Sequence, residues 1–129
     1  MVQVTTRFKK PRAKKANKAS QRYGMSKEHL ALIRQLPSCI SGMSPSDPHH
    51  LRSGEASKER GTSLKATDRW AIPLTRTEHE NVHKVGSKME AIYFINLGVN
   101  ASVLAEDLWN ATGDLEKMEK IVTDQLETE

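Results

Sequence analysis

The tetrad Thr75-Arg76-Thr77-Glu78 ends at the residue before His79, and His83 lies one helical turn further on. A Ser or Thr followed three residues later by Glu fits a capping box, in which two groups satisfy orphan amide donors at a helix start. A helix is therefore expected to begin here and to stop at Gly86. Residues four apart on a helix share a face, so His79 and His83 are expected to present two imidazoles to a common point. Two ligands make a weak metal site, and a third has to come from elsewhere in the chain.

Four of the five histidines fall into two clusters, the helical pair and the doublet His49-His50. The doublet lies in a short extended piece, Pro48 to Arg52. Adjacent side chains on a strand point to opposite faces, so the two are expected to do different jobs, one binding metal and the other serving as a base. A histidine ordinarily titrates at about 6.5 and can take a proton from an attacking water with little tuning. One strand histidine added to the helical pair closes one face of a coordination sphere and leaves positions for water and a phosphate oxygen. His29, outside both clusters, reads as a helix-surface residue.

The surrounding elements are short. Ser26 is expected to cap a helix over residues 27 to 36, with Leu30, Ile33 and Leu36 on its apolar face and Pro37 ending it. A second extended run covers Trp70 to Leu74, and the polar stretch between the strands, Ser53 to Thr67, is expected to be an exposed loop. A second capping box is read at Ser87-Lys88-Met89-Glu90, opening a helix that carries Ile92, Tyr93 and Ile95 and closes at Gly98. Asn100 is expected to cap a further helix with apolar positions Val103, Leu104, Leu108 and Trp109. Gly113-Asp114 then separates it from an acidic last helix, Leu115 to Leu126. The fold class expected is α+β and mostly helical, with a short two-stranded antiparallel hairpin and flanking helices.

Here the pattern resembles a known family. The order His49-His50, Asp68, then His79-x-x-x-His83, with two short strands before a capped helix, resembles the HNH (ββα-metal) endonucleases, including colicin DNases and nucleases encoded by phages and prophages. Leu36-Pro37-Ser38-Cys39, Asp47-Pro48-His49-His50-Leu51, Lys65-Ala66-Thr67-Asp68 and Ile72-Pro73-Leu74 look most like the small phage-type group, and the resemblance covers residues 28 to 110. It implies His50 as general base, His49, His79 and His83 as ligands of one divalent metal ion, and Asp68 in the place usually held by an Asn that positions the base. An acid there accepts the same hydrogen bonds but donates none. The implied reaction is DNA phosphodiester hydrolysis to 5′-phosphate and 3′-hydroxyl ends. Many relatives also carry a Cys-x-x-Cys zinc knuckle and a further Cys. This chain has Gly42 and Thr75 at those places, so its single cysteine, Cys39, is read as a buried small residue.

Charge points the same way. Residues 1–25 hold eight Lys or Arg and no acid, whereas the remainder has 12 basic and 16 acidic residues. A block of like charge without apolar periodicity reads as a flexible arm over residues 1–25, ahead of one domain over residues 26–129, and its natural partner is a polyanion. Lys9, Lys10, Arg12, Lys14 and Lys15 in the arm, with Arg52, Lys65, Arg69 and Arg76 around the motif, are the expected DNA contacts. Three imidazoles favour Zn²⁺, Ni²⁺ or another late transition ion for affinity, with Mn²⁺ and abundant Mg²⁺ as further candidates for the working ion. No small-molecule cofactor or membrane is implied. With neither an apolar run of roughly eighteen residues nor a secretory signal, the expected compartment is the cytoplasm of a bacterial host, with a phage or prophage origin. Two other readings remain: a non-catalytic DNA-binding, packaging or recombination accessory with a structural metal, and a helical interaction protein using its acidic last helix.

Overall fold

The computed structural model describes residues 25–54, 56–57 and 67–127. Ser26 begins the first helix, α1 (Lys27–Arg34), its side chain accepting from the His29 amide as the N-cap expected of it. The face that α1 buries runs through His29, Ile33 and, just past the helix end, Leu36. His29 is thus fully buried, contrary to its reading as a surface residue. Its Nδ1 lies 2.7 Å from the Thr112 hydroxyl, which itself donates to the Trp109 carbonyl at 2.7 Å. That leaves Nδ1–H as donor to Thr112 and Nε2 as a buried atom without a partner. The polar chain on one side and the edge-on Trp109 ring on the other explain why a histidine is tolerated here.

Two four-residue strands, β1 (Asp47–His50) and β2 (Ala71–Leu74), pair antiparallel with Pro48 opposite Pro73 and His49 opposite Ile72. The Leu51 amide donates to the Trp70 carbonyl at 3.0 Å, which makes that pair hydrogen-bonded and, by alternation, the Pro48–Pro73 pair non-bonded. Two prolines can therefore face each other without costing the ladder a donor. The second strand is one residue shorter than its apolar run, because Asp68–Trp70 forms a 3₁₀ turn leading into it. All four β2 residues are buried, since helices cover both faces of the hairpin.

Helix α2 (Arg76–Val85) starts on the expected box: Thr75 accepts from the Glu78 amide, and Glu78 accepts from the Thr75 amide at 2.9 Å. Glu78 also accepts from the Ser38 hydroxyl, whose oxygen in turn receives the amides of Ile40 and Ser41. With the Cys39 amide bonded to the Pro73 carbonyl, this network fastens the 38–43 turn to the hairpin and the α2 start. Cys39 is fully buried. Gly86 ends α2 with φ +85°; its Cβ position is open space, so the requirement for glycine is conformational.

The second capping box does not form. Helix α3 (Glu90–Asn96) begins after Met89 with no side-chain cap, because Glu90 is turned inward and its carboxylate is occupied elsewhere. Its buried apolar residue is Phe94, while Ile92 and Ile95 are exposed. Asn100 caps α4 (Ala101–Asn110) as expected, accepting from the Val103 amide; the helix buries Leu104, Ala105 and Leu108, while the Val103 side chain is exposed. α5 (Leu115–Glu127) packs on α4 through Met118 and Val122. The described residues form an α+β, mostly helical domain with one two-stranded antiparallel sheet, and none of their helices is long and apolar enough to cross a membrane. Lys9, Lys10, Arg12, Lys14, Lys15, Lys65 and most of the 53–67 connection lie outside them; within that connection Ala56 is buried.

Burial lowers the pKa of His29 to about 4, with the field of Asp68 opposing and that of His50 adding. The unfolded chain, titrating at about 6.5, binds the proton first as pH falls. Stability is therefore full above about pH 6.5 and declines down to about pH 4, by roughly 3 kcal/mol from this group. Urea unfolding across this range is expected to show that slope, flattened in His29→Leu, in which the Thr112 hydroxyl keeps its bond to the Trp109 carbonyl.

Candidate metal centre

The register of the hairpin and the start of α2 set the site. β1 places His49 inward, fully buried, where α2 crosses the hairpin, and the capping box fixes α2 so that His79 and His83 face it. Ring centroids are 5.1 Å apart for His49 and His79, 5.7 Å for His49 and His83, and 4.8 Å for His79 and His83. One nitrogen from each ring lies within 4.8 Å of the other two. A tetrahedral ion with bonds of about 2.05 Å needs ligand separations of about 3.3 Å, and rotation of the half-buried His79 and exposed His83 can close that difference.

The donor chemistry fits a metal. His49 Nε2 lies 2.8 Å from Glu90 Oε2, and His49 Nδ1 is buried with no hydrogen-bond partner. Burial pushes the His49 pKa down in spite of Glu90, so the ring is neutral. Burial also lowers His79, with His49 adding to it, and lowers His83, with Arg52 adding. Three neutral imidazoles facing one another are ready to ligate without first losing a proton. Glu90, fully buried, is held ionised: burial raises its pKa, but hydrogen bonds from His49, from the Ser53 hydroxyl (2.6 Å) and from the Arg52 amide (2.7 Å) outweigh it. An ionised carboxylate only accepts, so His49 Nε2 carries the hydrogen and the unpartnered Nδ1 keeps a free lone pair.

His50 faces differently. Its Nε2 lies 2.8 Å from Asp68 Oδ1, and the second carboxylate oxygen accepts the Ser26 amide at 2.9 Å. The side chains of His50 and Asp68 are 12% and 11% exposed, enough for a solvent molecule to reach the ring. With Nε2–H donating to Asp68, the free lone pair of His50 is on Nδ1. His50 lines the same cleft of about 540 Å³ as His79, His83, Arg34, Arg52 and Arg76. The acid in this cleft, Asp47, lies 3.6 Å from Arg76 Nε and 3.8 Å from His79 Nδ1.

Of the expected phosphate contacts, Arg52 and Arg76 line the cleft, whereas Arg69 turns toward Glu106 (3.7 Å) and stacks over the Trp70 ring. Three participants were missed in the sequence. Arg34 could have been flagged as a cation in the last turn of a predicted helix. Asp47 was visible only as part of a motif, and Glu90 was hidden by its resemblance to a capping residue.

The family described as a protein of unknown function, DUF968, matches residues 8–109. The chain belongs to the DUF968 family. All four clustered histidines, Asp68 and Glu90 of this DUF968 chain fall inside the matched span. It is also similar to the uncharacterized protein YdfU of Escherichia coli (strain K12), 32% identical over 94 residues, with 66% of this chain covered. The chain spans about a quarter of that relative's length, 26%. No solved structure matches it.

A metal seated on the three histidines binds the folded DUF968 domain and not the unfolded one. Zn²⁺ or Ni²⁺ at a hundredfold excess over its Kd is expected to stabilise the domain by about 2.7 kcal/mol, read as a higher melting temperature. His79→Ala and His83→Ala, at exposed or half-exposed positions, are expected to melt near wild type without metal and to lose most of that increment.

Proposed function

We propose that the chain is a metal-dependent DNA endonuclease with an HNH (ββα-metal) core formed by β1, β2 and α2. The observation that carries this reading is a three-imidazole cluster with two members, His79 and His83, lining a cleft that a fourth imidazole, held by a carboxylate, also lines. A structural site needs only the cluster. A separately held histidine beside it, with a free lone pair and solvent access, is what hydrolysis requires.

His49, His79 and His83 would hold one divalent cation, which supplies electrostatic stabilisation for charge developing on phosphate oxygens. His50 Nδ1 takes a proton from water as the water oxygen bonds to phosphorus and the P–O3′ bond breaks. The leaving oxygen takes a proton from solvent, giving 5′-phosphate and 3′-hydroxyl ends, and His50 returns its own to solvent. Asp68 keeps the ring aimed and favours the imidazolium while it lasts, itself held by the Ser26 amide. Arg34, Arg52 and Arg76 offer guanidinium groups to the phosphates flanking the scissile one. The basic residues 1–25 add affinity that depends on salt and not on sequence.

Purified protein incubated with supercoiled plasmid and Mg²⁺, Mn²⁺, Zn²⁺ or Ni²⁺ is expected to nick or linearise it. His50→Ala is expected to slow this by on the order of 10²–10⁴-fold while leaving metal affinity intact. Plasmid left equally intact by both proteins in every metal refutes the nuclease; metal binding without cleavage leaves the non-catalytic accessory. Deleting residues 1–25 is expected to flatten the dependence of DNA affinity on salt without changing the rate of the bound complex.

A further inference from the structure

Glu90 is the most deeply buried acid near the cleft, and its two oxygens are used differently. Oε2 faces His49 Nε2 at 2.8 Å and Arg52 Nε at 3.8 Å; Oε1 receives the Arg52 amide at 2.7 Å and the Ser53 hydroxyl at 2.6 Å. It sits on the first residue of α3, four residues after Gly86 turns the chain, and 41 residues from the histidine it contacts. A buried ionised acid is costly unless its acceptor capacity is filled, and here the strand and the residues just after it contribute the donors. The opposite ring nitrogen of His49, Nδ1, is buried without a partner, and the His49 ring stands 5.1 and 5.7 Å from those of His79 and His83.

We infer that Glu90 is the positioning residue of the metal centre: it fixes His49 in the Nε2–H tautomer, so that Nδ1 is the ligand atom, and strengthens that donor with a negative charge behind the ring. This rests on His49, His79 and His83 being a metal site, as proposed above. All three imidazoles are neutral ligands, so Glu90 provides an anion one ring away from the ion. A carboxylate on the far nitrogen of a metal-bound histidine orients the ring and raises its basicity, and removing such a partner typically costs 10–100-fold in affinity. Through the Arg52 amide the same carboxylate fastens the chain just after β1, three residues from His49. Behind His79 the corresponding acid is Asp47, at 3.8 Å, a longer reach than that of Glu90 to His49.

Glu90→Gln is the informative change. An amide has one oxygen in place of two, so either the loop donors or His49 must face an NH₂ group. Facing His49, it donates to Nε2 and drives the hydrogen to Nδ1, where it blocks ligation. The full chain, ¹⁵N-labelled at histidine, is examined by long-range ¹H–¹⁵N correlation without metal, and Zn²⁺ affinity is measured by calorimetric titration. Wild type is expected to show His49 protonated on Nε2, with Nδ1 unprotonated. Glu90→Gln is expected to lose or invert that pattern and to bind Zn²⁺ roughly 10–100-fold more weakly. Ser53→Ala, which frees the loop without touching His49, is expected to keep both tautomer and affinity.

A wild-type His49 protonated on Nδ1 overturns the inference whether or not any variant folds. So does a folded Glu90→Gln with wild-type tautomer and affinity, and so does a Ser53→Ala that weakens Zn²⁺ as much as Glu90→Gln, since Glu90 is then only a structural clamp. A wild type with the expected tautomer that binds neither Zn²⁺ nor Ni²⁺ refutes the metal centre itself, and the role of Glu90 with it. Zn²⁺ bound normally by both wild type and Glu90→Gln refutes Glu90 alone.

Discussion

A fully buried imidazole has two nitrogens to satisfy, and the domain is arranged around how His49 meets that demand. On one side it reaches a carboxylate that has itself been drawn out of water, and on the other it is left facing two more imidazoles. Either half alone would be costly, because an unpaired buried acid loses several kcal/mol of hydration and an orphaned ring nitrogen loses a hydrogen bond. Together they tie β1, the β1 exit and the first residue of α3 to one point. The core of Ile33, Ile72, Val82, Phe94 and Leu108 closes around that point and excludes water from it.

The second carboxylate of the site is wired in a complementary way. Asp68 links the His50 ring to the Ser26 amide, where the chain enters α1. The two histidines of the doublet therefore have separate anchors, Glu90 and Asp68, at different depths. His49 is sealed and its lone pair is directed at the cluster; His50 borders the cleft and its lone pair can meet solvent. On the proposed reading these are the ligand and the base. What separates the two roles is the identity and position of the carboxylate behind each ring, because the rings themselves are chemically identical.

Much of the site was legible because it rests on local chemistry. Ser26, Thr75 with Glu78, and Asn100 cap helices within three residues of themselves, and the one-turn spacing of His79 and His83 follows from the geometry of the helix they start. The doublet likewise had to split across a strand. The errors fall where local chemistry was ambiguous. Ser87-Lys88-Met89-Glu90 has the composition of a capping box, but a distant histidine and two loop donors compete for the same carboxylate and take it. His29 looked polar and exposed because nothing near it in the chain announces Thr112, 83 residues away. Phe94 is buried while Ile92 and Ile95 are exposed, on the same helix whose first residue, Glu90, is turned inward.

By itself the sequence determined the order of the elements, the helix starts capped by Ser26, Thr75 and Asn100, and the pairing of histidines within each element, since capping, strand alternation and the helical repeat act over a few residues. Tertiary structure decided which nitrogen of His49 is free, which acid stands behind each histidine, and which cations border the cleft. Those outcomes turn on contacts between residues 18 to 42 apart in the chain, where the burial cost of a polar group, and not its neighbours in sequence, selects its partner.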